Sequence, residues 1–180
     1  MKEQREAAVA FGILTEEPHG VIFIERAAHL RDHPGQIGLP GGGVDPIDEG
    51  DHQRAALREL REEVGVGSER VTIVERLPTV RPRFGRHAVT PFVALIAPGP
   101  LVIDPSETAA VFTIPLATIL ERRLVPGIVH FAEREIATPV LDYDGYRVWG
   151  MTARILELFF ERWDDAASGL RVRVEEALRR

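Results

Sequence analysis

The segment that most constrains this chain is a predicted helix with three carboxylates on one side. From His52 to Val64 the residues are good helix formers without glycine or proline, and Gly65 follows directly, as glycine does beyond a helix end. At about 100° per residue, Glu59 and Glu63 lie roughly 40° apart, and Glu62 lies roughly 60° to the other side of Glu59. Any fold of this chain must therefore accommodate a concentrated negative charge on one helix face.

The helix alone leaves two explanations of this acidic face open. Leu57, Leu60 and Val64 cluster on a different face and can anchor the helix to a core. Like charges cost a few tenths of a kcal/mol per exposed pair, so the acidic face either is solvated, with Arg58 pairing with Glu62 at i,i+4 spacing, or binds a cation. Oxygen-only ligands favour Mg²⁺, with Mn²⁺ as the alternative, and Mg²⁺ commonly bridges protein carboxylates to substrate phosphates.

Composition and charge limit the class of protein. With 180 residues, 44 % of them hydrophobic and 28 % charged, the chain fits one globular domain spanning residues 1–180. The absence of cysteine excludes disulfides, thiol nucleophiles and cysteine-based zinc sites. The net charge of −6 argues against nucleic-acid partners, and no apolar run approaches the roughly 18 residues of a membrane span. We therefore expect a cytoplasmic enzyme with no nucleic-acid or membrane partner; a homodimer is left open.

Apolar runs separated by turn signals predict an α+β domain with mixed strands. Ala8–Leu14 and Val21–Arg26 are typical of two strands joined by the turn-like segment between them. Leu170–Leu178 fits a strand through its valine alternation or a helix through its Glu-Glu-Ala-Leu end, and both alternatives stay open. The remaining predicted elements are strands at Val71–Leu77 and Val89–Ala97, helices at Pro115–Arg123 and Thr152–Trp163, and a hairpin of Ile136–Leu141 and Tyr146–Trp149 that turns at Asp144 and Gly145.

A glycine-rich loop precedes the helix, and loop and helix together resemble the Nudix box. Leu39-Pro40-Gly41-Gly42-Gly43 is followed, after five further residues, by Glu49, and Arg58-Glu59-Leu60-x-Glu62-Glu63-x-Gly65-Val66 matches the second half of the box position by position. The spacer departs from the pattern, because eight residues stand before Arg58 where the family has seven. The loop acid is therefore Glu49 or Asp48.

The resemblance implies the fold, the metal and the reaction of the Nudix hydrolases. The fold is an α/β/α sandwich around a mixed β-sheet, and the reaction is hydrolysis of a nucleotide diphosphate with Mg²⁺ or Mn²⁺ as cofactor. Glu59 and Glu63 correspond to the principal metal ligands, and Glu62 to a further ligand or to the group that positions water. Arg58 and the loop acid, Glu49 in the box pattern, complete the expected catalytic set, since an arginine can orient a glutamate by a charge-assisted hydrogen bond.

A second pattern, upstream of the box, is similar to the extra signature of the coenzyme A pyrophosphatase branch of that family. It runs from Ile22 through Arg26 and Arg31 to Gly35 and joins the box at Leu39. Later stretches similar to that branch are Val89–Val93, Ala110–Leu116 and Val148–Ala153. The similarity implies a small-molecule nucleotide substrate, coenzyme A or a derivative, cut to 4′-phosphopantetheine and adenosine 3′,5′-bisphosphate.

Arginines and glycines supply the predicted substrate contacts. A guanidinium is a planar fork for phosphate oxygens, and local arginines would offset the net charge of −6 around a phosphorylated substrate. Glycines let the backbone approach phosphates closely. Surface arginines kept for solubility are the alternative. The predicted substrate-binding residues are Arg26, Arg31, Gly42, Gly43, Arg81 and Arg83, the last two lying with Arg86 in a proline-punctuated loop.

Three hypotheses about function follow from these patterns. The first is a coenzyme A diphosphatase. The second keeps the chemistry but takes ADP-ribose, NADH or dinucleoside polyphosphates as substrate. The third is a non-catalytic nucleotide-binding module, against which the intact acidic set argues, since a pure binder has no need of clustered carboxylates. A further carboxylate from the segment between Asp104 and Glu107 is left open.

Overall fold

The computed structural model describes residues 5–31, 33–81, 87–131 and 133–179, and these form strands and helices in a mixed order. The strands are β1 (Arg5–Leu14), β2 (Gly20–Arg26), β3 (Ile37–Gly38), β4 (Gly41–Gly43), β5 (Val71–Arg76), β6 (His87–Ile96), β7 (Thr108–Pro115), β8 (Val125–Phe131), β9 (Arg134–Tyr143) and β10 (Tyr146–Val148). The helices are α1 (His52–Val64), α2 (Leu116–Arg122), α3 (Gly150–Asp164) and α4 (Leu170–Leu178).

Strand β1 lies at the centre of the larger, seven-stranded sheet. Its nearly continuous apolar sequence is typical of a strand that is covered on both faces. One edge of β1 pairs in parallel with β6, from Arg5 opposite His87 to Leu14 opposite Ile96. The other edge pairs antiparallel with β4 and, at Ile13, with β2. With β3 and β7 on β2 and β5 on β6, the sheet is mixed, as the sequence predicts.

The side chains of β1 alternate between two helical layers. Phe11 lies in the core beneath α3, where the ring of Phe159 stacks on it with centroids 4.3 Å apart. The neighbouring Ala10 lies in the opposite core, which α1 closes with Leu60 and Val64. Helices therefore cover both faces of the sheet, which confirms the predicted sandwich.

Strands β8, β9 and β10 form a separate three-stranded sheet. The chain turns between β9 and β10 at Asp144 and Gly145, whose φ angles of 48° and 82° suit a tight hairpin turn, so the predicted hairpin is confirmed. Strand β8 is absent from the sequence prediction because Pro126 and Gly127 interrupt its apolar run. In the structure both residues pair with β9, and Pro126 lies opposite Pro139.

The C-terminal segment, for which the sequence leaves strand and helix open, is the helix α4. Leu170 and Val174 lie about one helical turn apart and are both fully buried, whereas Val172 between them is 55 % exposed. The valine alternation thus belongs to a helix with one buried side. No helix in the described ranges combines the length and the apolar character that a bilayer crossing requires.

The contact between Phe11 and Phe159 predicts a large effect of truncation. Phe159→Ala should lower the free energy of unfolding by about 3–5 kcal/mol, because it leaves a cavity between β1 and α3. Val172→Ala removes an exposed side chain from the neighbouring helix and should change it by less than about 0.5 kcal/mol. Urea unfolding followed by circular dichroism measures both, and equal effects of the two variants would contradict the packing described.

Candidate metal centre

Helix α1 begins and ends where its caps place it. The carboxylate of Asp51 accepts hydrogen bonds from the backbone N–H groups of Gln53 (2.8 Å) and Arg54 (3.2 Å), which satisfies the first turn. Gly65 adopts a left-handed conformation, with φ 70°, and its N–H donates to the carbonyl of Arg61. The predicted bounds, His52–Val64, are confirmed.

Two of the predicted carboxylates on α1 are buried beside a third that comes from another part of the chain. Glu59 is 8 % exposed and Glu63 is 1 % exposed. Each offers a carboxylate oxygen to a cluster that includes Glu107, and these three oxygens lie within 4.8 Å of one another. Glu107 directly precedes β7, and its carbonyl accepts the backbone N–H of Ala27 at 2.9 Å. The open question of a carboxylate from this segment is thereby answered by Glu107.

The glycines of β4 make room for the two buried carboxylates. The backbone N–H of Gly41 donates to a carboxylate oxygen of Glu63 at 2.8 Å. A Cβ atom added to Gly42 would lie 2.4 Å from the Oε1 atom of Glu59, closer than any packing allows. Gly41 also has a φ of 156°, and a Cβ there would meet the carbonyl of Ala8 on β1 at 2.4 Å. Gly41 is therefore required by β1 and Gly42 by the carboxylate of Glu59, before any substrate is considered.

One guanidinium holds the remaining acidic groups in place. Arg58 donates to both carboxylate oxygens of Asp48 (3.2 and 3.0 Å), to Glu59 (2.9 Å) and to Glu62 (2.8 Å). It also donates to the carbonyl of Gly43 at 2.9 Å. The i,i+4 pair of Arg58 and Glu62 that a solvated helix face would show is thus present, but it belongs to a network that also fixes a buried ligand candidate. Glu62 itself is exposed at the rim of the cluster.

The structure brings Asp48, and not Glu49, to this network. Asp48 is buried, and besides Arg58 it accepts the backbone N–H of Asp45 at 2.9 Å. Glu49 is exposed, has a positive φ of 54°, and pairs with Arg54 at 2.7 Å. Counted from Asp48, nine residues (49–57) stand before Arg58, two more than the seven of the box pattern. The catalytic role expected for Glu49 stays a prediction, from a position that faces solvent.

Burial changes the protonation of the cluster. Burial is the largest cause that raises the pKa of Glu63; Glu59 and Glu107 also raise it, the Gly41 N–H and Arg26 lower it, and the net value is about 7. Burial also raises the pKa of Glu59, although Arg58 opposes the change. The hydrogen bond from Arg58 lowers the pKa of Asp48. Two buried carboxylates that resist ionisation beside a third are a donor set that suits a hard divalent cation such as Mg²⁺ or Mn²⁺.

Among the predicted phosphate-binding arginines, Arg26 reaches the cluster. Its guanidinium lies 3.9 Å from a carboxylate oxygen of Glu63. The register between β2 and β7 shifts between Glu25 and Arg26, and a bulge of this kind changes the direction of a side chain. Arg31 and Arg81 are exposed on loops. Arg83 and Arg86 lie outside the described residues.

Residues 5–134 match the family model described as NUDIX domain. The chain is 39 % identical over 155 residues to the uncharacterised Nudix hydrolase NudL of Salmonella paratyphi B and of Salmonella newport. Each alignment covers 85 % of this chain and 80 % of the relative.

Solved structures show the same fold. The NUDIX domain of Shewanella oneidensis NrtR, complexed with ADP ribose, superposes with a TM-score of 0.54 at 25 % identity and covers 67 % of this chain and 79 % of that one. A MutT/nudix family protein from Enterococcus faecalis gives a TM-score of 0.55 at 17 % identity and covers 96 % of this chain and 68 % of that one. These likenesses agree with the sandwich described above.

The contacts of Arg58 predict that Asp48 contributes more to stability than Glu49 does. Asp48→Asn removes the charge that Arg58 pairs with and should lower the free energy of unfolding by about 1.5–3 kcal/mol. Glu49→Gln disrupts an exposed pair and should cost less than about 1 kcal/mol. Thermal or urea unfolding of the two variants measures the difference. A larger loss in Glu49→Gln than in Asp48→Asn would mean that the network is assigned to the wrong acid.

The raised pKa of Glu63 predicts that the free energy of unfolding of the metal-free protein decreases as the pH rises. The folded state holds the Glu63 proton more tightly than the unfolded state, so this contribution to stability is full below about pH 4.5 and is lost as the pH rises through about 7. Glu63→Gln keeps the acceptor for Gly41 but cannot ionise. Relative to wild type, its free energy of unfolding should therefore increase with pH and level off above about pH 7, by up to about 3 kcal/mol.

Urea unfolding with a chelator, at pH values between about 4.5 and 8, measures this difference. Glu62→Gln, which changes an exposed carboxylate of the same helix, should keep the wild-type pH dependence. At high pH the wild type should be less stable than Glu63→Gln, and added Mg²⁺ should remove this difference, because the ion binds the ionised carboxylate of Glu63. If the free energies of unfolding of wild type and Glu63→Gln changed with pH in the same way, burial of Glu63 would not lower stability at high pH.

Proposed function

The chain belongs to the Nudix hydrolases, pyrophosphohydrolases of nucleotide substrates, and from this premise we propose that it cleaves the diphosphate of coenzyme A and its derivatives. The products would be 4′-phosphopantetheine and adenosine 3′,5′-bisphosphate. The cofactor would be Mg²⁺ or Mn²⁺. The observation that carries the proposal is the position of Arg26, a residue of the coenzyme A signature, against the buried carboxylate of Glu63.

Backbone hydrogen bonds and the continuous chain connect the segment that resembles the signature to the box loop. The backbone N–H of Arg26 donates to the carbonyl of Gln36 at 3.0 Å, and the N–H of Gly35 donates to the carbonyl of Arg26 at 3.0 Å. The chain then passes through β3 into β4, where the Gly41 N–H contacts Glu63. The segment that resembles a substrate-specific signature thus contributes a cation to the carboxylate cluster, and the box loop that follows it contributes a backbone donor. This arrangement supports a role for the signature in substrate binding.

Some residues of the site would bind the metal, and others would bind the phosphate or accept a proton. Glu59, Glu63 and Glu107 would hold the divalent cation, whose charge neutralises the diphosphate oxygens and favours attack by water. Arg26 would donate to a phosphate oxygen beside them. Glu62, exposed at the rim and oriented by Arg58, would accept a proton from the attacking water.

The bond changes follow from hydrolysis of a phosphoanhydride. The water oxygen bonds to one phosphorus, the bond from that phosphorus to the bridging oxygen breaks, and the bridging oxygen leaves with the other phosphoryl group. Gly43 leaves open space where a Cβ would stand, so with Gly42 it would let phosphate oxygens approach the backbone. Arg31, Arg81 and Arg83 are proposed to contact phosphates farther from the cleaved bond.

ADP-ribose is the strongest competing substrate. The Shewanella NUDIX domain that shares this fold was solved in complex with ADP ribose. Coenzyme A and ADP-ribose both present a diphosphate attached to an adenosine, so the carboxylate cluster serves either. They differ in the group on the far phosphate and in the 3′-phosphate of coenzyme A, which the signature arginines would recognise.

A substrate panel tests the proposal. Purified protein with Mg²⁺ or Mn²⁺ should convert coenzyme A faster than ADP-ribose, NADH or diadenosine tetraphosphate, with the two named products resolved by chromatography. In ¹⁸O-labelled water one product should carry the label, because a single water oxygen enters. Fast turnover of ADP-ribose with little turnover of coenzyme A would reverse the order of substrates, and nucleotide binding without any product would favour a binding module.

Matched variants separate the ligands from general surface charge. Glu59→Gln, Glu63→Gln and Glu107→Gln should each reduce turnover about 100-fold or more while the protein stays folded, because each removes a negative oxygen donor. Glu157→Gln changes a carboxylate on α3 that pairs with Arg154 and should leave turnover unchanged. A Glu107→Gln variant with wild-type turnover would remove Glu107 from the ligand set.

A further inference from the structure

An exposed aromatic pair stands at the end of the β8–β9 hairpin. The ring centroids of Phe131 and Trp149 lie 5.4 Å apart with the ring planes at 58°. Phe131 is 40 % exposed and Trp149 is half-buried. The other tryptophan, Trp163, is buried against Phe159 in the core. The aromatic pair therefore offers ring surface to solvent, which the core aromatics do not.

The aromatic pair is attached to the strand that borders the cluster. Trp149 directly precedes α3, and the hydroxyl of Thr152 in the first turn of α3 donates to the carbonyl of Ile37 at 3.1 Å. Ile37 lies in β3, opposite Glu25 of β2, so it is one strand spacing, about 5 Å, from the strand that ends in Arg26. A chain of hydrogen bonds thus connects Arg26 to the segment that contains β3, and β3 to the first turn of α3, which Trp149 directly precedes.

An adenine nucleotide could follow this chain of contacts. With its diphosphate at the carboxylates and Arg26, its ribose and base would extend past β3 toward the start of α3. A flat heteroaromatic base stacks favourably on exposed aromatic rings, with about 1–3 kcal/mol per base. Arg134 is the cross-strand neighbour of Phe131, so the adjacent strand carries a cationic residue at this position.

We infer that Phe131 and Trp149 form the surface on which the adenine of the substrate stacks. The inference deepens the proposed function and rests on it for the substrate class, a nucleotide with its diphosphate at the cluster. It does not depend on the choice between coenzyme A and ADP-ribose, because both carry adenine. The flexible pantetheine arm, which has no flat ring, is assigned to the opposite side of the diphosphate.

Binding of AMP tests the stacking without any catalytic step. In a Trp163→Phe protein the remaining tryptophan is Trp149, and AMP should quench its fluorescence, whereas ribose 5-phosphate, which lacks the base, should not. Phe131→Ala in the same background should weaken AMP binding roughly 5- to 150-fold, and Phe131→Tyr should restore it. Ile128→Ala truncates an exposed side chain (54 %, against 40 % for Phe131) on the other face of β8 and should leave the affinity unchanged.

The outcomes separate this inference from the proposed function. Equal AMP affinity in wild type and Phe131→Ala, or equal quenching by ribose 5-phosphate, would overturn the stacking even where coenzyme A is cleaved. Quenching by AMP that depends on Phe131 would support the stacking even where coenzyme A is not cleaved. Calorimetric titration of AMP into proteins that retain both tryptophans repeats the comparison without the Trp163→Phe change.

Discussion

The structure depends on the burial of two carboxylates between a helix and a strand of glycines. Water solvates an ionised carboxylate far better than a protein interior does, so Glu59 and Glu63 resist ionisation where they lie. The fold lowers this cost with the N–H of Gly41 and the guanidiniums of Arg26 and Arg58, and does not remove it. A bound divalent cation would supply the missing compensation, so the same unfavourable negative charge would give the site its proposed affinity for metal.

Several local elements of this fold could be predicted from the sequence, because each of them carries its own signals. Helix α1 lies between an Asp51 cap and Gly65, and the prediction matched both ends. The strands β1 and β2 followed from apolar runs divided by a turn. The β8 strand could not be predicted in this way, since its proline and glycine weaken the pattern and its pairing with β9 is a tertiary contact. Burial of Leu170 and Val174 likewise decided α4, and no local preference did.

The residues of the candidate site were likewise predictable only in part. Helical spacing was sufficient to place Glu59, Glu62 and Glu63 near one another. Glu107 had no comparable signal, because it reaches the cluster through the pairing of β2 with β7. The choice between Asp48 and Glu49 required the backbone of the short turn that precedes α1, where one acid is buried and the other faces solvent. Residues that act through long-range pairing are thus the ones that spacing alone leaves out.

The parallel pairing of β1 with β6 has a consequence for the order of folding. Arg5 lies opposite His87, so the whole signature and box lie inside the loop that this pairing closes. Contacts of high sequence separation form slowly, since the entropy of closing a long loop is lost before the contacts compensate for it. Helix α1 needs no such closure for its hydrogen bonds. A nascent chain would therefore carry its acidic helix in contact with water, and the desolvated carboxylates would arise in the last, cooperative step.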